Sequence, residues 1–155
     1  MTTTIGASVL APSLYIPDLK TRRKPSALQE LVGRAHEAGV VRDPQVLQAI
    51  LLLRERLGAT AVGKGVAVPN ARSVVVSEPR VVVGRSRRGL DWGAADAEPV
   101  HLVLLVLSPA ETADDVHVDL VARAAAALRL QRHRQRVLDA ESFAAVCDVL
   151  SESLP

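Results

Sequence analysis

In this 155-residue chain, a glycine-rich run, four histidines, one cysteine and several arginine clusters have types or spacings suited to chemistry. The run Gly58-Ala59-Thr60-Ala61-Val62-Gly63-Lys64-Gly65 nearly spells a phosphate-binding loop. Such a loop needs a serine or threonine after its lysine to hold magnesium, and Gly65 has no side chain. It also joins a strand to a helix, whereas here a helical pattern precedes the run and β-branched residues follow it. A nucleotide-hydrolase reading is therefore set aside. His117 falls in the first turn of a predicted helix, on the face of Leu120, Val121, Ala124 and Leu128. A satisfied core histidine fits that place, and so does a group facing an anion at a helix N-terminus. His36, His101 and His133 read as structural or exposed. Cys147 lies on the inner face of a C-terminal helix and reads as a buried thiol; a lone cysteine forms no internal disulfide and fits a reducing compartment.

The 19 basic and 17 acidic residues leave a formal charge of +2. The basic clusters at Lys20–Lys24, Arg85–Arg88 and Arg129–Arg136 read as solvated faces or as a docking surface for an acidic partner protein, with a phosphate-backbone binder as the other reading. Aromatics make up 2% of the chain, too few to build stacking platforms for single-stranded nucleic acid, so nucleic acid is not the expected partner. The longest strongly apolar stretch, Val100–Leu107, falls well short of the ~18 residues that suggest a membrane span. The opening Met1-Thr2-Thr3-Thr4-Ile5 lacks the basic start and long apolar run of a secretory signal. A cytoplasmic protein without cofactor or metal is expected.

The elements that must position these residues follow from pattern. Residues 1–13 read as a loose leader and 14–155 as one domain. Tyr15–Leu19 reads as a short edge segment, because Pro17 would interrupt a central ladder. Ser26 caps a predicted helix running to about Ala38, stopped by Gly39. Asp43-Pro44 opens a second, with Val46, Ile50, Leu53 and Leu57 as its apolar stripe and Gly58 as its end. Short β-branched runs follow at Val66–Val68, Val74–Val76 and Arg80–Arg85, then a turn at Arg87-Arg88-Gly89. Val100–Leu107 is apolar without alternation, the mark of a central strand covered on both faces. Helices at about Asp114–Leu130 and Glu141–Glu152 complete an α/β fold: a single domain with a mixed sheet sandwiched by helices.

The stretch Arg54-Glu55-Arg56-Leu57-Gly58-Ala59-Thr60 through Gly63-Lys64-Gly65 to Val66-Ala67-Val68-Pro69-Asn70 resembles the signature of the mannitol/fructose-type (type 2, nitrogen-regulatory-like) IIA domains of the bacterial sugar phosphotransferase system. That signature runs from an Arg-Glu pair through Gly-x-Thr and Gly-x-Gly to an apolar stretch ending in Pro-His. The resemblance extends from about Ile16 to Leu150 and includes Gly89-Leu90-Asp91-Trp92, Pro99-Val100 and His117 with Leu120. It implies a phosphoryl carrier whose partners are an HPr-like phosphocarrier and a IIB domain, or a regulatory target protein. It also implies that Arg54, the residue at position 70 and His117 share one pocket: a nucleophilic imidazole, a guanidinium gripping phosphoryl oxygens and a second histidine beside the first.

Position 70 departs from the pattern. Asn70 stands where the family carries its phosphorylated histidine, and a carboxamide nitrogen is not nucleophilic because its lone pair is delocalised into the carbonyl. The expected function is therefore a degenerate, regulatory, partner-binding IIA protein. The alternatives are an active carrier that uses His117, and an anion- or nucleic-acid-binding module that uses the arginine clusters.

Overall fold

Residues 8–155 are described by a computed structural model of the chain. The sheet is built around β6 (Val100–Pro109), whose even and odd positions are buried alike. Leu102, Leu104 and Val106 point into one apolar layer, and Val103, Leu105 and Leu107 into the other. A strand buried on both faces has no polar side to show, which accounts for the unbroken apolar run.

On one side of β6 lies β5 (Arg80–Leu90), antiparallel, with Val81 opposite Val106 and Leu90 opposite Val100. The ladder is irregular between Arg85 and Leu90. Beyond β5, the two-residue β1 (Tyr15–Ile16) forms the edge, as its proline-flanked sequence requires. On the other side of β6, two short parallel strands lie end to end. These are β3 (Val66–Ala67), beside Leu102 and Val103, and β4 (Asn70–Ser73), beside Val106 to Pro109. β2 (Ala61–Gly63) turns back through Lys64 to pair with β3 and forms the opposite edge. The sheet is thus mixed.

Two helices, α1 (Lys24–Glu37) and α2 (Pro44–Arg56), cover one face. Leu28, Leu31, Leu47 and Leu51 press there against Val82, Val103 and Leu105. The other face is covered by α3 (Asp114–Ala127), α4 (Gln131–Asp139) and α5 (Phe143–Leu150) through Leu120, Ala124, Val137, Val146 and Leu150. Each fully buried leucine or valine contributes roughly 1.5–3 kcal/mol, so these two layers carry the fold. Trp92, fully buried, fills the end of the α1/α2 layer.

Several boundaries differ from expectation. Residues 1–7 of the expected leader lie outside the described residues. Residues 8–13 are packed rather than loose: Val9 and Leu10 are buried, and the Val9 amide donates to the Pro155 carbonyl. The α1 cap is Arg23, not Ser26, because Pro25 already fits the first turn. In α2 the buried residues are Leu47 and Leu51, while Leu53 is 59% and Leu57 85% exposed. The inward face is therefore rotated from the stripe read in the sequence. Val74–Val76 is a turn in which Val76 bridges Val41, and the strand lies just before it, at β4. The segment 87–89 belongs to β5, with Gly89 at φ +92°.

The expected helix over 114–130 ends at Ala127, and α4 follows. Two arginines fix this break. Arg134 Nη1 donates to the carbonyls of Leu128 and Arg129, satisfying groups that α3 leaves unpaired. Arg85, 3% exposed, reaches from β5 to donate to the carbonyls of Val137, Leu138 and Ala140 at the end of α4, and to that of Pro17. A cation at a helix C-terminus also meets the negative end of the helix dipole.

Candidate functional site

The signature loop after α2 is held by an acid. Glu55 Oε1 accepts from Lys24 Nζ at 2.9 Å and from the Thr60 amide at 3.1 Å. Its Oε2 accepts from Thr60 Oγ1 at 2.6 Å. The Trp92 indole donates to the same hydroxyl over 3.3 Å, and Lys24 Nζ lies 5.4 Å from the centre of the Trp92 ring. The Glu of the Arg-Glu pair, the Thr of Gly-x-Thr and the Trp of Gly-Leu-Asp-Trp thus meet in one buried network. That network sets the path of the chain into the β2–β3 hairpin. In the glycine-rich run a helix precedes and a hairpin follows, as the sequence requires, so no phosphate-loop geometry is present.

From the hairpin the chain passes through Val68 and Pro69 into β4, where Asn70 lies opposite Val106. In a strand, residues i and i+2 face the same way. Asn70 and Arg72 accordingly point outward, and Ala71 and Ser73 are buried. The end of β6 delivers Ser108, fully buried, and the first turn of α3 delivers His117. Asn70 Nδ2 donates to the Val68 carbonyl at 3.1 Å, which turns Oδ1 toward His117. That oxygen can only accept, so His117 Nε2, 3.2 Å away, carries the ring proton and donates. Nδ1 is then the acceptor, taking the Ser108 hydroxyl proton at 2.7 Å. Both ring nitrogens of His117 are engaged. Burial holds its pKa below the usual histidine value; Arg72 lowers it further and Asp114 opposes the shift. The ring is neutral at pH 7.

Asn70 and His117 therefore converge as expected. Arg54 is exposed at the end of α2, where Nη1 donates to the Gly58 carbonyl at 2.8 Å. Among the described residues, no hydrogen bond joins it to Asn70 or His117. The cation whose charge His117 feels is Arg72, which sequence reasoning missed. Arg72 Nη1 donates to the Thr112 carbonyl at 2.8 Å, and Nη2 pairs with Asp114 in the first turn of α3. Its signal was the i+2 spacing from Asn70. Ser108 was missed too, although it is the first polar residue after the apolar run of β6.

His36 Nδ1 donates to the Val41 carbonyl at 2.8 Å, as a structural residue does. His133 pairs with Glu152, and His101 Nδ1 meets the Ser86 carbonyl at 2.7 Å. Cys147 is half-buried against the α3–α5 layer. Among the described residues, no three His, Cys, Asp or Glu side chains are placed to hold a metal ion, and no helix is long and apolar enough to cross a membrane.

The fold and this site define an α/β domain with one histidine–carboxamide pair at the end of its central strand. The chain belongs to the family described as "Phosphoenolpyruvate-dependent sugar phosphotransferase system, EIIA 2", whose model matches residues 8–153. It is 36% identical over 143 residues to a nitrogen regulatory protein of Bradyrhizobium diazoefficiens, with 92% of each chain covered. It is 36% identical over 129 residues to the fructose-specific EIIA component of Haloferax volcanii, with 83% of each covered. It is 30% identical over 135 residues to the fructose-specific EIIABC component of Bacillus subtilis; that match covers 87% of this chain but only 21% of the longer protein. Among solved structures, nitrogen regulatory protein IIA-Ntr from Neisseria meningitidis superposes with a TM-score of 0.84 at 25% identity, covering 92% of this chain and 96% of that one. The IIA mannitol enzyme of Escherichia coli, solved in complex with phosphorylated IIB, gives 0.77 at 22% identity, covering 92% and 97%.

Proposed function

We propose that this chain is a regulatory IIA protein that binds a phosphotransferase-system partner or a regulatory target without carrying phosphate. One observation carries the reading: the Asn70 carboxamide bridges the Val68 carbonyl and His117 Nε2. At the position where the family resemblance puts the phosphorylated histidine, there is no nucleophile. Asn70 instead completes the hydrogen bonds that a neutral imidazole would make, so the surface keeps the form of the unphosphorylated state. A carrier using His117 is disfavoured by the same geometry. Its Nε2 lone pair is replaced by a proton, and its Nδ1 lone pair faces buried Ser108 rather than an incoming phosphoryl group. In-line transfer does not tolerate a displaced nucleophile. The face around Asn70 and Arg72 is the natural docking side for an HPr-like carrier or a IIB domain, by likeness to the mannitol IIA–IIB complex.

The test incubates the wild type, Asn70→His and His117→Ala with phosphoenolpyruvate, enzyme I and an HPr-like carrier. Acid-labile label is expected on Asn70→His alone. Label on the wild type that disappears in His117→Ala would establish an active carrier and overturn the proposal.

A further inference from the structure

The arginine cluster at 129–136 plays no part in the Asn70 site. Two of its members, the exposed Arg129 and the half-buried Arg134, line a groove along the open β2 edge of the sheet. The groove consists of two adjoining clefts of about 480 and 450 Å³, both lined by Lys64 and Arg134. None of its lining residues belongs to the Asn70–His117–Arg72 site. Its inner end, at Leu102, lies roughly 20 Å from Ser108 along β6, taking about 3.3 Å per residue.

Two properties of the groove select its occupant. First, Arg129 and Arg134 form no ion pair with any carboxylate among the described residues, and neither do Arg132 and Arg136 on the exposed flank of α4, whereas Lys64 has the Asp96 carboxylate beside it. Surface cations normally lie among carboxylates, so this cluster leaves a local positive field in a chain whose net charge is only +2. Second, the half of the groove between β2 and α3 has an apolar floor, made by Val62, Ala122, Ala126 and Leu128. Val62 is 55% exposed. Asp96 and Glu98 line the other half. Asp96 stands beside Lys64 where the halves meet, its Oδ2 accepting the Lys64 amide at 3.1 Å, so an anionic ligand is favoured at the Arg129 end of the alanine-floored half.

A free phosphate or nucleotide would leave that floor uncovered. A single-stranded nucleic acid would lack aromatic faces to stack on, since Tyr15 and Trp92 are buried and Phe143 packs against Tyr15. An extended peptide that alternates carboxylates with aliphatic side chains satisfies both features. We infer that this groove is a second docking surface, built to take an acidic, aliphatic segment of a partner protein. The apolar side chains seat on the α3 alanines, and the carboxylates meet Arg129 and Arg134. Binding there is independent of what occupies position 70.

The experiment measures fluorescence anisotropy with a labelled ten-residue peptide alternating glutamate and leucine, beside its lysine-for-glutamate counterpart and a duplex DNA of similar charge. The acidic peptide is expected to bind, the lysine peptide not to bind, and affinity to fall about tenfold between roughly 50 and 500 mM salt. Arg129→Glu reverses one exposed charge and should weaken binding by about fivefold or more. Ala122→Trp fills the floor at an exposed helix position without altering charge, and should weaken it comparably. Asn70→His should bind the peptide as the wild type does, which separates this surface from the site at position 70. Two results would overturn the inference: peptide affinity that ignores Ala122→Trp, or duplex DNA that binds more tightly than the peptide and responds to Arg129→Glu alone.

Discussion

The hydrogen bonds of His117 make its tautomer a measurable quantity. With Asn70 Oδ1 facing Nε2, the Nε2–H form makes two bonds, one to Asn70 and one from Ser108. In the Nδ1–H form the Ser108 hydroxyl can rotate to accept, so that contact survives. The Asn70 contact does not, because two lone pairs would face each other across 3.2 Å. Turning the amide over would rescue it only by breaking the bond to the Val68 carbonyl. Either way one part-buried polar contact is lost, at about 1–3 kcal/mol, which leaves roughly 1–15% of the minor tautomer. Long-range nitrogen–proton correlation NMR at pH 8, where His117 is neutral, reads the two forms directly. The wild type should show the Nε2–H pattern, and Asn70→Ala, which removes the acceptor, should show a mixture. A dominant Nδ1–H form in the wild type would refute the reasoning, since Nε2 would then hold a free lone pair and His117 could act as a nucleophile.

Other consequences are as direct. Arg85→Met leaves the carbonyls of Val137, Leu138 and Ala140 without their donor, partly offset by removing a buried charge; urea denaturation should show a loss of about 3 kcal/mol, and less than about 1 would mean water replaces the guanidinium. His117 has a folded pKa below its unfolded value, so the unfolded chain binds the proton first as pH falls. The stability held by the neutral ring is complete above about pH 6.5 and is lost as pH falls below it. The melting temperature of the wild type should accordingly drop more steeply between about pH 7 and 5 than that of His117→Gln. In α2, Leu51→Ala should cost about 2–5 kcal/mol, whereas Leu53→Ser should change stability by less than about 0.5, as read by thermal unfolding.

The central strand was legible because burial on both faces writes an unbroken apolar run, and β1 because Pro17 limits it to an edge. The inward face of α2 was not. Val46, Leu47, Ile50, Leu51, Leu52 and Leu53 surround most of that helix, so the period alone leaves its rotation open. The helix α4 was missed because it buries Val137 and little else, and its place is set by Arg85, some 50 residues earlier in the chain. Non-local capping of this kind leaves no local pattern. At the site, Asn70 and His117 could be paired only through the family resemblance, since 47 residues separate them. Arg72 gained its role from a carboxylate and a carbonyl supplied by the α3 entrance, which spacing within β4 does not reveal.

The grip of Arg85 on α4 has a bearing on how the molecule opens. A nine-residue helix with so little apolar surface does not persist alone in water, so α4 depends on the Arg85 cap from β5 and on the packing of Val137 against the α5 layer. The same guanidinium also secures the Pro17 carbonyl, beside the outermost strand. The edge at β1 and the distant α4 are therefore coupled through one side chain, although no sequence neighbour links them. In native-state hydrogen exchange, amides near Ile16 and those of α4 should gain deuterium together, as a unit that opens well before β6 does. Any partner seated against Arg134 would slow exchange at both places at once.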